Sequence, residues 1–178
     1  MLDPDRLTVD DFFAWQELVD GRYELVDGHI VMHPDYFDAQ GLASPDNGHG
    51  LIVANVTLLL GPQLKAPCRL YIGAGAEVDR MNANIPDLAV SRGDKSTDKY
   101  LSAAQLVVEV SSPKTYRIDT GRKVGNYLSI KTLEAYVFVD RKLNAITLYR
   151  PDAGPQSFHE GVVPITTDVS LPLDEVFA

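Results

Sequence analysis

A single cysteine, Cys68, occurs among the 178 residues of the chain, so no disulfide can form within it. The sequence also lacks the charged segment and apolar run of a secretion signal, and its apolar stretch at residues 51–60 is too short to span a bilayer. We therefore expect a cytoplasmic protein without a membrane segment. Hydrophobic residues make up 45% of the chain, enough to bury a core, and we expect one domain over residues 1–178.

Motifs of several common enzyme sites are also absent. The chain has no G-x-x-x-x-G-K-[ST] phosphate loop, no G-x-S-x-G nucleophile elbow and no H-E-x-x-H zinc motif. The glycine-rich segment at 73–77 lacks the third glycine of a dinucleotide fingerprint and is better interpreted as a bend between strands. The histidines lack zinc-ligand spacing, and we predict surface or helix-capping roles for all of them: His29, His33, His49 and His159.

Positive charge is scarce, and the formal net charge of the chain is -9. This total argues against a nucleic-acid partner, because neutralisation of phosphates dominates such binding. The acidic side chains are concentrated in residues 1–38, which contain ten acidic and two basic residues. Residues 114–123, in contrast, carry four basic side chains and one acidic one, so a polyanion could approach this segment despite the total charge.

Hydrophobic patterns predict the order of the secondary-structure elements. Helices are expected over residues 8–20, 49–64 and 119–130. Strands are expected on both sides of Asp27-Gly28, in 68–80 with a glycine bend, and in IPDLAV and LVVEV. A further hairpin is expected from EAYVFVD and AITLYRP. We interpret 33–48 as a long loop, 81–85 as a turn, and the chain from Pro151 as a tail with a short β-like run at 162–165. This order predicts an α/β fold with a mixed central β-sheet flanked by helices, preceded by an N-terminal helix and hairpin.

Two carboxylates interrupt apolar runs in this pattern. Asp87 lies within IPDLAV, and in LVVEV the alternation of a strand puts Glu109 on the face opposite Val108. A carboxylate inside a buried strand is costly unless it is hydrogen-bonded, paired or bound to a metal. A shared divalent cation would explain both positions.

The chain resembles a known family at several motifs that occur in the family's order. These are YELVDGHIV, IPDLAV, VVEVSSPKT, the four-residue spacing of Asp119, Lys123 and Tyr127, and EAYVFVD. Together they are similar to a restriction endonuclease family, of the domain-of-unknown-function type, in the PD-(D/E)XK nuclease superfamily. The resemblance spans residues 8–150 and is specific as a set, whereas each motif alone is common.

The resemblance implies a restriction-endonuclease-like core and a metal-dependent endonuclease that acts on DNA. Carried over by residue, Asp87 and Glu109 would hold Mg²⁺, or Mn²⁺ as a substitute, and Glu24 would complete the site. Metal-activated water would then hydrolyse the phosphodiester bond, with a lysine to orient it. A homodimer is expected because cutting two strands favours two sites.

The resemblance is incomplete at the lysine. In the E-x-K form of the family's motif, the lysine follows the glutamate by two residues. It would therefore occupy position 111, where this chain has Ser111. Lys123 fits a position on the following helix, and Lys114 is the second choice. The basic side chains of this segment are candidates for phosphate contacts: Lys114, Arg117 and Arg122.

Simpler explanations exist for each residue. Glu109 and Lys123 could form a structural ion pair, Asp87 could belong to a turn, and Glu24 could face solvent from an edge hairpin. A non-catalytic binding or oligomerisation module with the same fold is therefore a second hypothesis, favoured by the net charge of -9 and by the absence of a lysine at position 111. A hydrolase of another phosphoester is the third.

Overall fold

A six-stranded mixed sheet forms the centre of the fold in the computed structural model, which describes residues 6–33, 46–95 and 97–178. The helices are α1 (Val9–Gln16), α2 (Asn47–Leu60), α3 (Tyr116–Asp119), α4 (Arg122–Leu128) and α5 (Leu173–Val176). The first strands are β1 (Tyr23–Val26), β2 (His29–Met32), β3 (Cys68–Ile72), β4 (Ala76–Asp79), β5 (Asn82–Asn84) and β6 (Leu88–Arg92). The remaining strands are β7 (Ala104–Val110), β8 (Ala135–Asp140), β9 (Ala145–Arg150), β10 (Ala153–Phe158), β11 (Val162–Pro164) and β12 (Ser170–Pro172).

The central sheet has the strand order β10-β9-β8-β7-β6-β3. Only the β7–β8 pair in it is parallel, and a parallel pair needs a crossover connection, which α3 and α4 supply. One face packs on α2 and α5 through side chains such as Ile52 and Val176, and the opposite face packs on α4 through Tyr127. The predicted α/β fold with a mixed sheet flanked by helices is confirmed. In the described part of the chain, no helix has the length and apolar character needed to cross a membrane.

The predicted N-terminal helix and hairpin are both present. Thr8 caps α1, and Phe12 from that helix packs on Leu25 of β1. Asp27 and Gly28 have φ values of 50° and 79°, the left-handed conformation that a tight turn between β1 and β2 requires. These two strands belong to a second sheet, of order β2-β1-β5-β4, so β1 carries Glu24 beside the central sheet.

Two segments predicted as irregular form strands. Residues 82–84, expected in a turn, are β5, which pairs with both β1 and β4 and buries Ala83. Asparagine has little strand propensity, but pairing on both sides overrides it. The tail after Pro151 contains β10, an edge strand in which Pro155 is tolerated because it need not donate to a neighbour, and also β12. The predicted loop at 33–48 lies mostly outside the described residues, and Asn47 and Gly48 belong to α2.

The helix predicted over 119–130 is two short helices, α3 and α4, separated at Thr120 and Gly121. A Cβ atom at Gly121 would lie 2.7 Å from the carbonyl oxygen of Arg117, so the close approach of the backbone at this break requires glycine. The α1 helix also ends earlier than predicted, at Gln16, and α2 ends at Leu60 before a 3-10 turn that contains Pro62.

We predict that Thr8→Ala lowers the free energy of unfolding by about 1 kcal/mol. The change removes a reciprocal cap, in which the Asp11 N–H donates to Thr8 Oγ1 at 3.3 Å and the Thr8 N–H donates to Asp11 Oδ2 at 3.1 Å. Urea denaturation measures the change. Thr8→Ser should restore the wild-type value, and Thr167→Ala, at an exposed bend, should not differ from wild type. Equal stability of Thr8→Ala and wild type would contradict the capping role.

Candidate functional site

Lys123 of α4 joins two of the carboxylates that the sequence singled out, Glu24 and Glu109, and it also contacts Asp119. Its Nζ lies 2.8 Å from Glu109 Oε1, 3.0 Å from Glu24 Oε1 and 3.5 Å from Asp119 Oδ1. The lysine side chain is 1% exposed, so these contacts replace its hydration. Lys114, the second choice for this position, is exposed. We refer to Glu24, Glu109, Asp119 and Lys123 as the carboxylate cluster.

Secondary-structure periodicity brings the cluster together. Glu109 points from β7 to the face covered by α4, as the alternation in LVVEV predicts. Asp119, Lys123 and Tyr127 are spaced by four residues and face Glu109 together, despite the break between α3 and α4. The Tyr127 hydroxyl donates to Glu109 Oε1 at 2.6 Å. Glu24 of β1 is buried beside Leu25 and does not face solvent from an edge hairpin, the simpler explanation that the sequence allowed.

Both oxygens of Glu24 have partners. Oε1 contacts Lys123 and also accepts from the Ile85 N–H at 3.4 Å, and Arg122 Nη2 donates to Oε2 at 3.1 Å. His33 Nε2 lies 3.9 Å from Oε1. Burial raises the pKa of Glu24, but the charges of Lys123 and His33 outweigh it and hold the pKa below its ordinary value. Glu24 is therefore ionised at neutral pH.

The pKa of Glu109 moves in the opposite direction, from 4.5 to about 8. Burial is the main cause, and the negative charges of Asp119 and Asp87 add to it, while Lys123 opposes them. Burial also raises the pKa of Asp119. For Lys123, burial lowers the pKa, but the surrounding carboxylates raise it above its ordinary value, so the ammonium stays charged. The cluster therefore retains a proton on its carboxyl groups near neutral pH.

Asp87 lies directly before β6, not within a strand as expected from IPDLAV. Its Oδ2 accepts from the Val110 N–H at 2.8 Å and contacts His49 Nε2 at 3.2 Å. Because a carboxylate can only accept, His49 donates through Nε2. Burial raises the pKa of Asp87, but the hydrogen bond and charge of His49 and the Val110 N–H outweigh it and lower the pKa. Asp87 is therefore ionised and fixed at the end of β7, next to Glu109.

Histidines 33 and 49 were predicted at the surface or in caps, and this prediction is wrong for both. Each is buried and contacts a carboxylate of the site, His33 near Glu24 and His49 at Asp87. Their spacing in the sequence carries no signal for these contacts. The only hint is their position, one at each end of the predicted loop that separates β2 from α2.

The three candidate phosphate-binding residues lie in different surroundings. Arg122 is held by Glu24, with its side chain 36% exposed. Lys114 and Arg117 are exposed and line a cleft beside the end of β7. The cleft and the carboxylate cluster are thus neighbours along the chain, because Arg117 and Asp119 belong to the same short helix.

The donor set fits a small, hard cation. Among the described residues of the carboxylate cluster, three buried carboxyl groups surround one buried ammonium, and burial raises the pKa of Glu109. In the present arrangement, no group of three or more His, Cys, Asp or Glu side chains within the described ranges is placed to hold a metal ion. Mg²⁺ needs only one or two protein carboxylates and takes its other ligands from water and substrate, so Asp87 and Glu109 suffice in number.

Comparisons with known proteins agree with this fold. The sequence model of the Uma2 family, described as "Putative restriction endonuclease", matches residues 9–174. Among solved structures, the chain is similar to a protein from Anabaena variabilis described as a "putative nuclease belonging to DUF820", with a TM-score of 0.71. The sequences are 17% identical, and the likeness covers 96% of this chain and 97% of the other. No curated protein matches the chain. The resemblance predicted from the motifs is confirmed.

The raised pKa of Glu109 predicts how stability depends on pH. Between pH 4.5 and about 8 the folded state binds more protons than the unfolded state, so the free energy of unfolding falls as the pH rises through this range. We predict that Glu109→Gln makes this decline shallower, because the titrating group is removed. Asp119, whose pKa is also raised, should leave part of the decline in the variant.

Urea denaturation at both ends of that pH range measures the effect. Glu134→Gln, at an exposed position before β8, is the matched control and should show the wild-type decline. A decline that is just as steep in Glu109→Gln would show that the titrating group lies elsewhere.

Proposed function

The chain belongs to the Uma2 family, and from that membership we propose that it is a Mg²⁺-dependent endonuclease that hydrolyses phosphodiester bonds of DNA. The observation that carries the proposal is the position of the buried Lys123 ammonium, within 3.0 Å of both Glu24 and Glu109. Asp87 is tied to the same strand end through the Val110 N–H. The family resemblance implies a mixed sheet whose adjacent strands carry an Asp and a Glu, with a lysine beside them.

In this proposal, Asp87 and Glu109 would hold Mg²⁺, the Val110 carbonyl would be a further oxygen ligand, and Glu24 would complete the site. The cation, when bound, lowers the pKa of a water molecule and stabilises negative charge on the scissile phosphate. His49 fixes the Asp87 carboxylate by its hydrogen bond, and Tyr127 fixes Glu109 in the same way. These two residues position the ligands and do not themselves react.

Lys123 has a distinct part in the proposed reaction. Its ammonium donates to the attacking water and orients it toward phosphorus, and its charge favours the developing negative charge of the phosphate. Because burial raises the pKa of Glu109 to about 8, this carboxyl group would have to lose its proton in order to hold the cation. No covalent intermediate with the protein is needed.

The proposal also covers binding, assembly and location. The phosphates of DNA contact three basic side chains, Lys114, Arg117 and Arg122. The protein forms a homodimer and is located in the cytoplasm.

A second candidate function is a non-catalytic binding or oligomerisation module that retains the nuclease fold. One observation favours it: the Lys123 ammonium itself balances Glu24 and Glu109, so these carboxylates have a partner without a metal. The net charge of -9 also opposes DNA binding. Hydrolysis of another phosphoester would use the same residues as the first proposal.

We predict that the protein cleaves plasmid DNA when Mg²⁺ or Mn²⁺ is present and that Asp87→Ala lowers the rate at least about a hundredfold. Loss of an outer-sphere partner costs about 10- to 100-fold, and Asp87 is a proposed ligand. Asp174→Ala, at an exposed position on α5, should cleave as wild type does. Lys123→Met should lose activity while Lys114→Met keeps most of it, provided that both variants fold. The enzyme proposal fails if the protein does not cleave DNA, or if Asp87→Ala cleaves at the wild-type rate.

Calorimetry with Mn²⁺ separates the two candidate functions. For a metal enzyme we predict binding that Glu109→Ala abolishes and that His49→Gln weakens about 10- to 100-fold, because His49 positions a ligand. Glu175→Ala, an exposed glutamate on α5, is the matched control and should bind as wild type does. The non-catalytic module would show no binding that depends on Glu109.

A further inference from the structure

A cleft of about 770 Å³ lies beside the carboxylate cluster, where β7 and β8 end. Its walls come from the turn after β7, from α3 and from the turn between β8 and β9. The residues that matter to its chemistry are Lys114, Tyr116, Arg117, Arg141, Lys142 and Leu143. We call this region the strand cleft.

The strand cleft is basic in a chain that is acidic overall. Its two acidic residues, Asp46 and Asp140, already have partners. Arg141 donates to both oxygens of Asp46, at 2.6 and 2.9 Å. Asp140 accepts from the Tyr116 hydroxyl at 3.2 Å and from the backbone N–H of Lys142 at 2.9 Å. With Arg141 paired to Asp46, the two positive charges of Arg117 and Lys142 exceed the one negative charge of Asp140, as phosphate binding requires.

An aromatic ring lies in the same cleft. Tyr116 is 40% exposed, and its orientation is fixed at two points. The ring packs edge to face on Phe138 at 5.6 Å between centroids, and its hydroxyl is bound to Asp140. Leu143, 60% exposed, adds apolar surface. A preorganised aromatic ring surrounded by cations is the combination with which proteins bind single-stranded nucleic acid, because bases stack on the ring while phosphates meet the cations.

We propose that the strand cleft binds an unpaired stretch of DNA next to the scissile phosphate, with one base stacked on Tyr116 and phosphates on Arg117 and Lys142. This inference rests on the proposed function, since it places the cleft on the path of the substrate. Bases in a duplex are already stacked on their neighbours, so only an unpaired base can lie against the tyrosine ring. The substrate class is thus DNA with a single-stranded region.

Continuity with the carboxylate cluster supports this placement. Ser111, which lines the cleft, directly follows Val110, whose N–H holds Asp87. Arg117 faces the cleft from the same short helix that carries Asp119. A strand bound in the cleft would therefore lead directly to the proposed cutting site.

Binding can be measured without cleavage by fluorescence anisotropy in EDTA. The probes are a labelled oligothymidylate and a labelled blunt duplex of the same length, and the protein is the full chain. We expect the single strand to bind more tightly than the duplex. Tyr116→Leu should weaken single-strand binding about tenfold or more and leave duplex binding unchanged, whereas Tyr116→Phe, which keeps the ring, should bind as wild type does.

Lys142→Gln tests the phosphate contact independently of stacking. The variant should bind the single strand more weakly, and the slope of log affinity against log salt should become shallower by roughly 0.7. Lys65→Gln is the matched control, because Lys65 is 79% exposed and precedes β3 at the other end of the sheet. It should leave both probes unaffected.

The proposal is overturned if the duplex binds more tightly than the single strand, if neither probe binds, or if Tyr116→Leu retains wild-type affinity for the single strand. Failure of the proposed endonuclease function gives a different result. In that case DNA stays uncut in Mg²⁺ and Mn²⁺, while the Tyr116-dependent binding in EDTA persists.

Discussion

The fold depends on how it stabilises one buried ammonium. Lys123 contacts carboxylates from three parts of the chain: Glu24 in the N-terminal hairpin, Glu109 in the central sheet, and Asp119 in the crossover. An unpaired charge at this depth would cost several kcal/mol, so the three parts are held in a fixed relation to one another. Burial in this cluster raises the pKa of Glu109, and the negative charges of Asp119 and Asp87 add to the effect. One cluster therefore connects the sheet of the N-terminal hairpin to the central sheet.

A second connection fixes the opposite side of the proposed site. Asp46 caps α2 by accepting from the His49 N–H at 2.9 Å, and Arg141 from the end of β8 holds Asp46 in place. His49 in turn contacts Asp87. Through these contacts α2, which covers one face of the sheet, reaches the end of the sheet at which β7 and β8 terminate. There it meets the residues that α4 contributes from the other face. Both faces of the sheet therefore contribute residues to the proposed site.

Much of this arrangement follows from local sequence patterns. Alternation in LVVEV places Glu109, four-residue spacing places Lys123 and Tyr127, and Asp27-Gly28 places the hairpin that carries Glu24. The features that the sequence does not reveal depend on contacts between segments that are far apart along the chain. The strand at 82–84 exists because two neighbouring strands pair with it, and His49 reaches Asp87 only after α2 has packed on the sheet. Such contacts have no signature in the residues themselves.

The break at Thr120 and Gly121 has a consequence for how this family can vary in length. Although Thr120 and Gly121 interrupt the helix, the side chains of Asp119 and Lys123 still point in the same direction, as they would at this spacing in one continuous helix. One inserted residue there would rotate Lys123 by about 100° and turn its ammonium away from Glu24 and Glu109. The crossover should therefore accept no insertion or deletion at this break, even where it accepts a substitution.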